Sequence, residues 1–193
     1  MKLSLRIWFG LAAMTLGIIS HAFAWAPVPG HMMTKYAASV NPNSVWLEYP
    51  RPQLVRPQWI NLNGLWDYAV APDQTNEPTH WEGQILVPFP LESSLSGICR
   101  PLRPEQALWY RRQFEFSRPA KGNHALLHFE AVNYITVVTV NGKVVGEHQG
   151  GYDPFSFDIT DALLESKTQE LVVKVINPTG EGNYPYQPRG KLS

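Results

Sequence analysis

Short apolar runs alternate with turn-forming segments along most of the chain, and this pattern is typical of β-strands. Eight strands are predicted, at Leu65–Val70, Ile85–Val87, Leu108–Phe116, His124–Phe129, Ile135–Val140, Lys143–His148, Phe155–Asp158 and Leu171–Ile176. Eight short strands with turns between them predict an all-β fold, a jelly-roll β-sandwich. We expect Leu65, Tyr110, Phe114 and Phe129 to lie in its core.

The fifth and sixth strands are predicted to form a β-hairpin. The fifth strand is almost wholly β-branched, which favours a pleated, packed surface. Asn141-Gly142 follows it, and both residues tolerate the positive φ of a two-residue type I′ turn. Such a turn pairs Val138 with Val145. Apolar residues occupy both faces of this hairpin, so we expect it inside a two-layer sandwich.

The third strand carries a charge on its apolar face. In LWYRRQFEF, at residues 108–116, alternation places Arg112 on the same side as Tyr110 and Phe114. An isolated buried charge is costly, so we expect the guanidinium to be paired, with Asp153 or Asp158 as candidate partners. A structural ion pair is favoured over the alternative, in which Arg112 binds a sugar hydroxyl or a substrate carboxylate.

The N-terminus has the pattern of a secretory signal peptide, predicted over residues 1–24. Lys2 and Arg6 precede an apolar run at Ile7–Ile19, and Ala22 and Ala24 supply small residues for cleavage. The run is too short to span a membrane, which takes roughly twenty residues. We therefore expect a secreted or periplasmic protein that has no membrane association after cleavage.

Composition excludes several classes of function. The chain has 16 basic and 16 acidic residues, without a basic run, so we expect no nucleic-acid partner. Its single cysteine, Cys99, excludes an internal disulfide, and a buried or incidental thiol is favoured over a nucleophile. No phosphate loop or cluster of metal ligands is present in the sequence, and we expect neither a metal nor a cofactor.

Several strings, in a fixed order, carry a resemblance to a known family. They include NLNGLWDY at residues 61–68, VPFPLESSLSG at 87–97 and VNGKVVGEHQGGYDPFSFDIT at 140–160. Together they resemble the N-terminal domain of glycoside hydrolase family 2, which includes β-galactosidases, β-glucuronidases and β-mannosidases. The resemblance covers roughly Pro50–Lys191. It implies a galactose-binding-domain-like sandwich at 59–193, preceded by a proline-rich extended leader at 25–58 on the domain surface.

The resemblance also implies how activity is divided along a longer chain. In similar proteins an immunoglobulin-like sandwich and a (β/α)₈ barrel follow, and the barrel holds both catalytic glutamates. Retaining glycosidases need two carboxyl groups about 5 Å apart, and none of the 11 glutamates in this chain matches that pair. We therefore expect a sugar-binding domain truncated before the barrel, with no catalytic residue and no hydrolysis of O-glycosyl bonds on its own. Its expected partners are carbohydrate and the remainder of the same glycosidase.

Binding residues are predicted in the C-terminal tail. Asn183, Tyr186 and Arg189 combine an amide, an aromatic ring and a cation, the groups that sugars use for hydrogen bonds and stacking. We predict that they form a substrate-facing rim, with a plain surface tail as the alternative. Glu92 could be interpreted as catalytic, but a role as the cap of the following turn is favoured. The alternative function for the whole chain is a freestanding, non-catalytic carbohydrate-binding or structural module.

Overall fold

The computed structural model describes residues 25–49, 53 and 55–178, and these residues form an all-β architecture. The strands are β1 (Gly64–Pro72), β2 (Gly83–Val87), β3 (Gln106–Glu115), β4 (Leu126–Phe129), β5 (Ile135–Val140), β6 (Lys143–Gln149), β7 (Phe155–Asp158) and β8 (Thr168–Ile176). Short 3₁₀ helices lie at Lys35–Ser39, Ser94–Ser96 and Thr160–Ala162, and these described ranges contain no α-helix. All eight predicted strands are present, several of them longer than predicted.

The strands form two antiparallel sheets, consistent with a β-sandwich. The larger sheet has the order β2-β1-β3-β8-β5-β6, and β4 and β7 form the smaller one. Strands β3 and β8 lie at the centre of the larger sheet and pair over nine residues each. Strands β3 and β8 are therefore flanked on both sides by other strands, whereas β2 and β6 form the edges of the larger sheet.

One face of the larger sheet packs against the smaller sheet and its loops to form the core. Strands β1, β5 and β8 contribute buried side chains that include Trp66, Val138 and Leu171, and β4 contributes Leu127 from the opposite side. Tyr110, Phe114 and Phe129 pack against this core, as predicted. Burial of this kind is the main favourable contribution to folding.

The predicted core position of Leu65 is wrong. Leu65 is half-buried on the outer face of β1, while its neighbours Trp66 and Tyr68 point into the core. Successive side chains of a strand lie on opposite faces, so only one of the two sets in this strand can face inward. The two aromatic rings bury more apolar surface than the set that contains Leu65 and Asp67, and they take the core side.

The central hairpin forms with its Asn141-Gly142 turn, but its register differs from the prediction. Val140 pairs with Lys143, whereas Val138 pairs with Gly146 rather than Val145 because a bulge interrupts the ladder. The bulge brings Gly146 against the ring of Phe157, where a side chain would clash. A close approach of this type requires glycine.

The leader residues that the structure describes lie against the loop that follows β2. Trp25 donates its indole N–H to the carbonyl of Leu95 at 3.1 Å. The backbone N–H of Val28 donates to Ser94, and the hydroxyl of Ser94 donates back to the carbonyl of Val28. The predicted signal peptide, residues 1–24, lies outside the described residues.

Candidate functional site

The candidate site is a cleft that opens where β1 and β3 diverge. The ladder between them runs from Pro72–Gln106 to Asp67–Arg111 and ends there, while β1 stays paired with β2 as far as Gly64. The resulting cleft has a volume of about 310 Å³, and its lining residues are Leu65, Asp67, Gln84, Arg111, Arg112 and Gln113. Five of these six side chains are polar, so the cleft suits a hydrogen-bonding ligand.

Arg112 bridges the gap between the two strands. Its Nη1 donates to the main-chain carbonyls of Asn63 and Leu65, each at 3.2 Å. Its Nε is buried without a hydrogen-bond partner among the described residues. Burial lowers the pKa of the Arg112 guanidinium from its ordinary value, because the charged form loses solvation.

The predicted ion pair of Arg112 with Asp153 or Asp158 is wrong. Asp158 instead accepts from the hydroxyl and the backbone N–H of Thr160 and from His124, and these bonds lower the pKa of its carboxyl to about 2. The physical reason is that the diverging strand leaves main-chain acceptors on β1 without β3 donors. A guanidinium can supply donors to these carbonyls in place of the missing backbone N–H groups.

Removing this bridge should destabilise the protein. We expect Arg112→Ala to lower the free energy of unfolding by about 2–3 kcal/mol, because two main-chain carbonyls lose a charged donor. Urea denaturation measures the change. Arg118→Ala is the matched control, since Arg118 forms exposed ion pairs with Asp161 and Glu165, which contribute about 0–1 kcal/mol. Equal losses of free energy of unfolding in Arg112→Ala and Arg118→Ala would contradict the bridging role of Arg112.

The Asp67–Arg111 ion pair forms the closed end of the cleft. Arg111 donates from Nε and Nη2 to Oδ2 of Asp67, at 3.1 and 2.7 Å. The Arg111 guanidinium also lies over the ring of Trp81, 4.5 Å from its centroid. Both side chains of the ion pair keep about a third of their exposure, at 31% and 35%. The pair is therefore held in place and still accessible to a ligand.

An apolar cluster on the outer face of the same sheet supports this end of the cleft. Ala107, Trp109 and Val172 are buried there, with Trp81 packed against them. The ammonium group of Lys174 lies 5.1 Å from the centroid of the Trp109 ring. The indole Nε1 of Trp109 is buried and has no hydrogen-bond partner among the described residues. The outer face thus combines rings, cations and one unused buried donor.

The structure does not test the binding residues predicted in the C-terminal tail. Asn183, Tyr186 and Arg189 lie outside the described residues, so their role stays a prediction. The carboxylate of Glu92 accepts from the backbone N–H of Leu102 at 3.3 Å and closes a loop.

The prediction that Glu92 caps the following turn is wrong. The cap is Ser93, whose hydroxyl accepts from the backbone N–H of Leu95. Cys99 is half-buried, and its thiol donates to the carbonyl of Glu92. Neither Glu92 nor Cys99 therefore contributes to the cleft.

Sequence reasoning missed the cleft, although one signal for it was present. Strand alternation places Leu65 and Asp67 on one face of β1, and Arg111 and Gln113 on one face of β3. Two neighbouring strands that carry polar groups on the same outer face can form a polar surface. The divergence that turns this surface into a cleft has no signal in the sequence.

The described residues offer few alternatives for catalysis. They contain no group of three or more histidine, cysteine, aspartate or glutamate side chains that could hold a metal ion. Glu77 has a raised pKa, caused first by burial and then by the nearby charge of Glu170. Glu77 nevertheless belongs to an exposed loop. Among residues 25–49, 53 and 55–178, no helix has the length and apolar character needed to cross a membrane.

Comparisons with known proteins place this architecture in a family. The family model described as "Glycosyl hydrolases family 2, sugar binding domain" matches residues 60–185. A β-galactosidase from Thermoanaerobacter pseudethanolicus is 38% identical over 84 residues, which are 44% of this chain and 11% of that protein. A β-glucuronidase from Paenibacillus borealis is 27% identical over 150 residues, 75% of this chain and 24% of that protein.

A solved structure gives a consistent result. The Lactobacillus rhamnosus β-glucuronidase aligns with a TM-score of 0.50 and 29% identity, over 60% of this chain and 20% of that one. The chain thus spans no more than about a quarter of the length of the relatives described here. Because the family match covers more than half of the chain, this protein belongs to glycosyl hydrolase family 2 and carries the sugar-binding domain of that family.

Proposed function

We propose that this chain binds carbohydrate as the N-terminal domain of an exported β-glycosidase, and that other parts of the enzyme cleave the glycosidic bond. The observation that carries the proposal is the match of the sugar-binding domain at residues 60–185, a range that includes all eight strands. The relatives named above are a β-galactosidase and two β-glucuronidases, which supports a β-linked sugar as the substrate of the complete enzyme.

The proposed role is binding rather than catalysis. A retaining glycosidase needs a raised-pKa acid and a nucleophilic carboxylate on either side of the scissile bond, about 5 Å apart. The carboxyl group of Glu77 has a raised pKa, but it lies on an exposed loop, where water is not excluded. The chain would therefore position a sugar through hydrogen bonds while both catalytic carboxylates come from the remainder of the glycosidase.

Further features of the proposal extend to residues that the structure does not describe. The sandwich is a jelly roll of the galactose-binding type, and residues 1–24 direct export to the periplasm or the medium. In the complete glycosidase, Asn183, Tyr186 and Arg189 contribute to a rim that faces the substrate. Their amide, phenol and guanidinium groups supply the donors and acceptors that sugar hydroxyls require.

The proposal predicts no glycosidase activity for the isolated chain. We expect the purified 193-residue protein to release no p-nitrophenol from p-nitrophenyl β-galactoside, β-glucuronide or β-mannoside, because no glutamate matches the catalytic pair. Absorbance assays after removal of host glycosidases measure this. Turnover that copurifies with the folded chain would overturn the division of roles and assign catalysis to a carboxylate pair within it.

A further inference from the structure

We propose that the cleft between β1 and β3 binds one uncharged sugar ring, through the Asp67–Arg111 pair and the amides of Gln84 and Gln113. This inference rests on the proposed carbohydrate-binding function and assigns that function a place on the domain. The site lies on the outer face of the six-stranded sheet.

The lining of the cleft matches the chemistry of a sugar. Vicinal hydroxyls each donate and accept, so they are best bound by planar groups that offer a donor and an acceptor side by side. The amides of Gln84 and Gln113 are exposed at the cleft and offer both. In the Asp67–Arg111 pair both bonds end on Oδ2, which leaves the second carboxylate oxygen as an acceptor beside a guanidinium donor.

The groups that would bind the sugar are held in position before it arrives. Arg111 is fixed by Asp67 on one side and by the Trp81 ring on the other. Arg112 fixes the separation of the strands through the carbonyls of Asn63 and Leu65. Less side-chain entropy is lost on binding when the partners are already ordered, and this helps a small ligand to bind measurably.

The charge around the cleft favours an uncharged ligand. Arg111 and Arg112 line the cleft together with the carboxylate of Asp67. The carboxyl of Glu77 lies close enough to Arg111 and to Glu170 for their charges to shift its pKa. Lys174 lies on the same outer face, over the ring of Trp109. Three cationic groups thus face three carboxyl groups, and there is no excess of positive charge to attract an acidic sugar.

The size of the cleft limits the ligand to a small one. Its volume of about 310 Å³ is at the lower end of the range for ligand pockets, roughly 300–1,000 Å³. The cleft is therefore suited to a single ring at one position of a glycan rather than to a long chain segment.

A titration followed by two-dimensional ¹H–¹⁵N NMR tests this site. The probes are methyl β-galactoside and methyl β-glucuronide, added separately to the 193-residue protein. We expect methyl β-galactoside to shift the amide signals of β1 and β3 around Asp67 and Arg111, and to bind at least as tightly as the glucuronide. The double variant Gln84→Ala/Gln113→Ala should bind at least tenfold more weakly, whereas Gln149→Ala, at an exposed glutamine on edge strand β6, should bind as the wild type does.

The possible results separate this inference from the function on which it rests. Binding that survives unchanged in the double variant, or shifts that map elsewhere, would overturn the cleft as the site and leave sugar binding intact. Tenfold tighter binding of methyl β-glucuronide would overturn the assignment to an uncharged sugar. Binding of neither probe would overturn both the site and the proposed sugar-binding function.

Discussion

Replacing Gln169 with leucine is expected to lower the free energy of unfolding by about 3–5 kcal/mol, because several buried groups lose their hydrogen bonds at once. Gln169 is 1% exposed. Its Nε2 donates to the carbonyls of Phe116, Leu164 and Ser166. Its Oε1 accepts from the backbone N–H of Leu164 and from Nδ2 of Asn141. One amide thus connects β8, the end of β3, the 163–167 loop and the hairpin turn.

Urea denaturation of two variants separates this network from the general effect of losing a strand glutamine. Gln149→Leu is the matched control, because Gln149 is exposed on β6, and a surface change of this kind is expected to stay within about 0.5 kcal/mol. If Gln169→Leu and Gln149→Leu lower the free energy of unfolding by similar amounts, the hydrogen bonds of Gln169 do not have the stabilising role assigned to them.

Replacing Gly146 is expected to have an effect of similar size through packing. A Cβ atom added at this position would lie 2.2 Å from a ring carbon of Phe157, far inside van der Waals contact. Overpacking of this kind costs about 1–3 kcal/mol and occasionally more. We expect Gly146→Ala to lower the free energy of unfolding, measured by urea denaturation, by about 3 kcal/mol. We expect Gly146→Val to leave little folded protein.

Two further variants test whether the loss comes from the Phe157 contact. Gly83→Ala is the control, since a Cβ there would make an ordinary contact of 3.6 Å with Tyr68, and we expect little change. The double variant Gly146→Ala/Phe157→Ala should lose less free energy of unfolding than the sum of the losses in the two single variants, because the ring that clashes is gone. Additive losses in the double variant would reject the steric explanation.

The secondary structure could be predicted because it depends on local pattern. Alternation and β-branching gave all eight strands, and the bounds of β5 and β7 agree residue for residue with the prediction. The bounds of β8 do not agree with the prediction, because the strand begins three residues earlier and includes Thr168, Gln169 and Glu170. Those three polar residues pair with β3, and only that tertiary contact makes them part of a strand.

The errors arise where packing between strands decides the outcome. Leu65 belongs to the same alternating set as Asp67, so the face of β1 with Trp66 and Tyr68 was the better core prediction. The bulge opposite Val138 depends on the contact between Gly146 and Phe157, which are eleven positions apart. A rule for two-residue turns cannot anticipate such a contact.

The candidate site was the least predictable part. Alternation correctly indicated that Arg112 lies on the apolar side of β3, and its cation lies 6.0 Å from the centroid of the Trp66 ring. Its partners are main-chain carbonyls, however, and every residue carries one. Only the divergence of β1 from β3 identifies Asn63 and Leu65 as the acceptors, and that divergence also creates the cleft.

The central claim is that this family 2 domain binds a sugar without cleaving it, and one NMR experiment measures both parts. Saturation-transfer difference spectra of the 193-residue protein with p-nitrophenyl β-galactoside report contact with the sugar protons, and the same sample reports free p-nitrophenol. We expect transfer to the ring protons that is lost in Gln84→Ala/Gln113→Ala, with the glycoside intact throughout. Free p-nitrophenol accumulating in the sample, or an absence of transfer to the sugar, would contradict the claim.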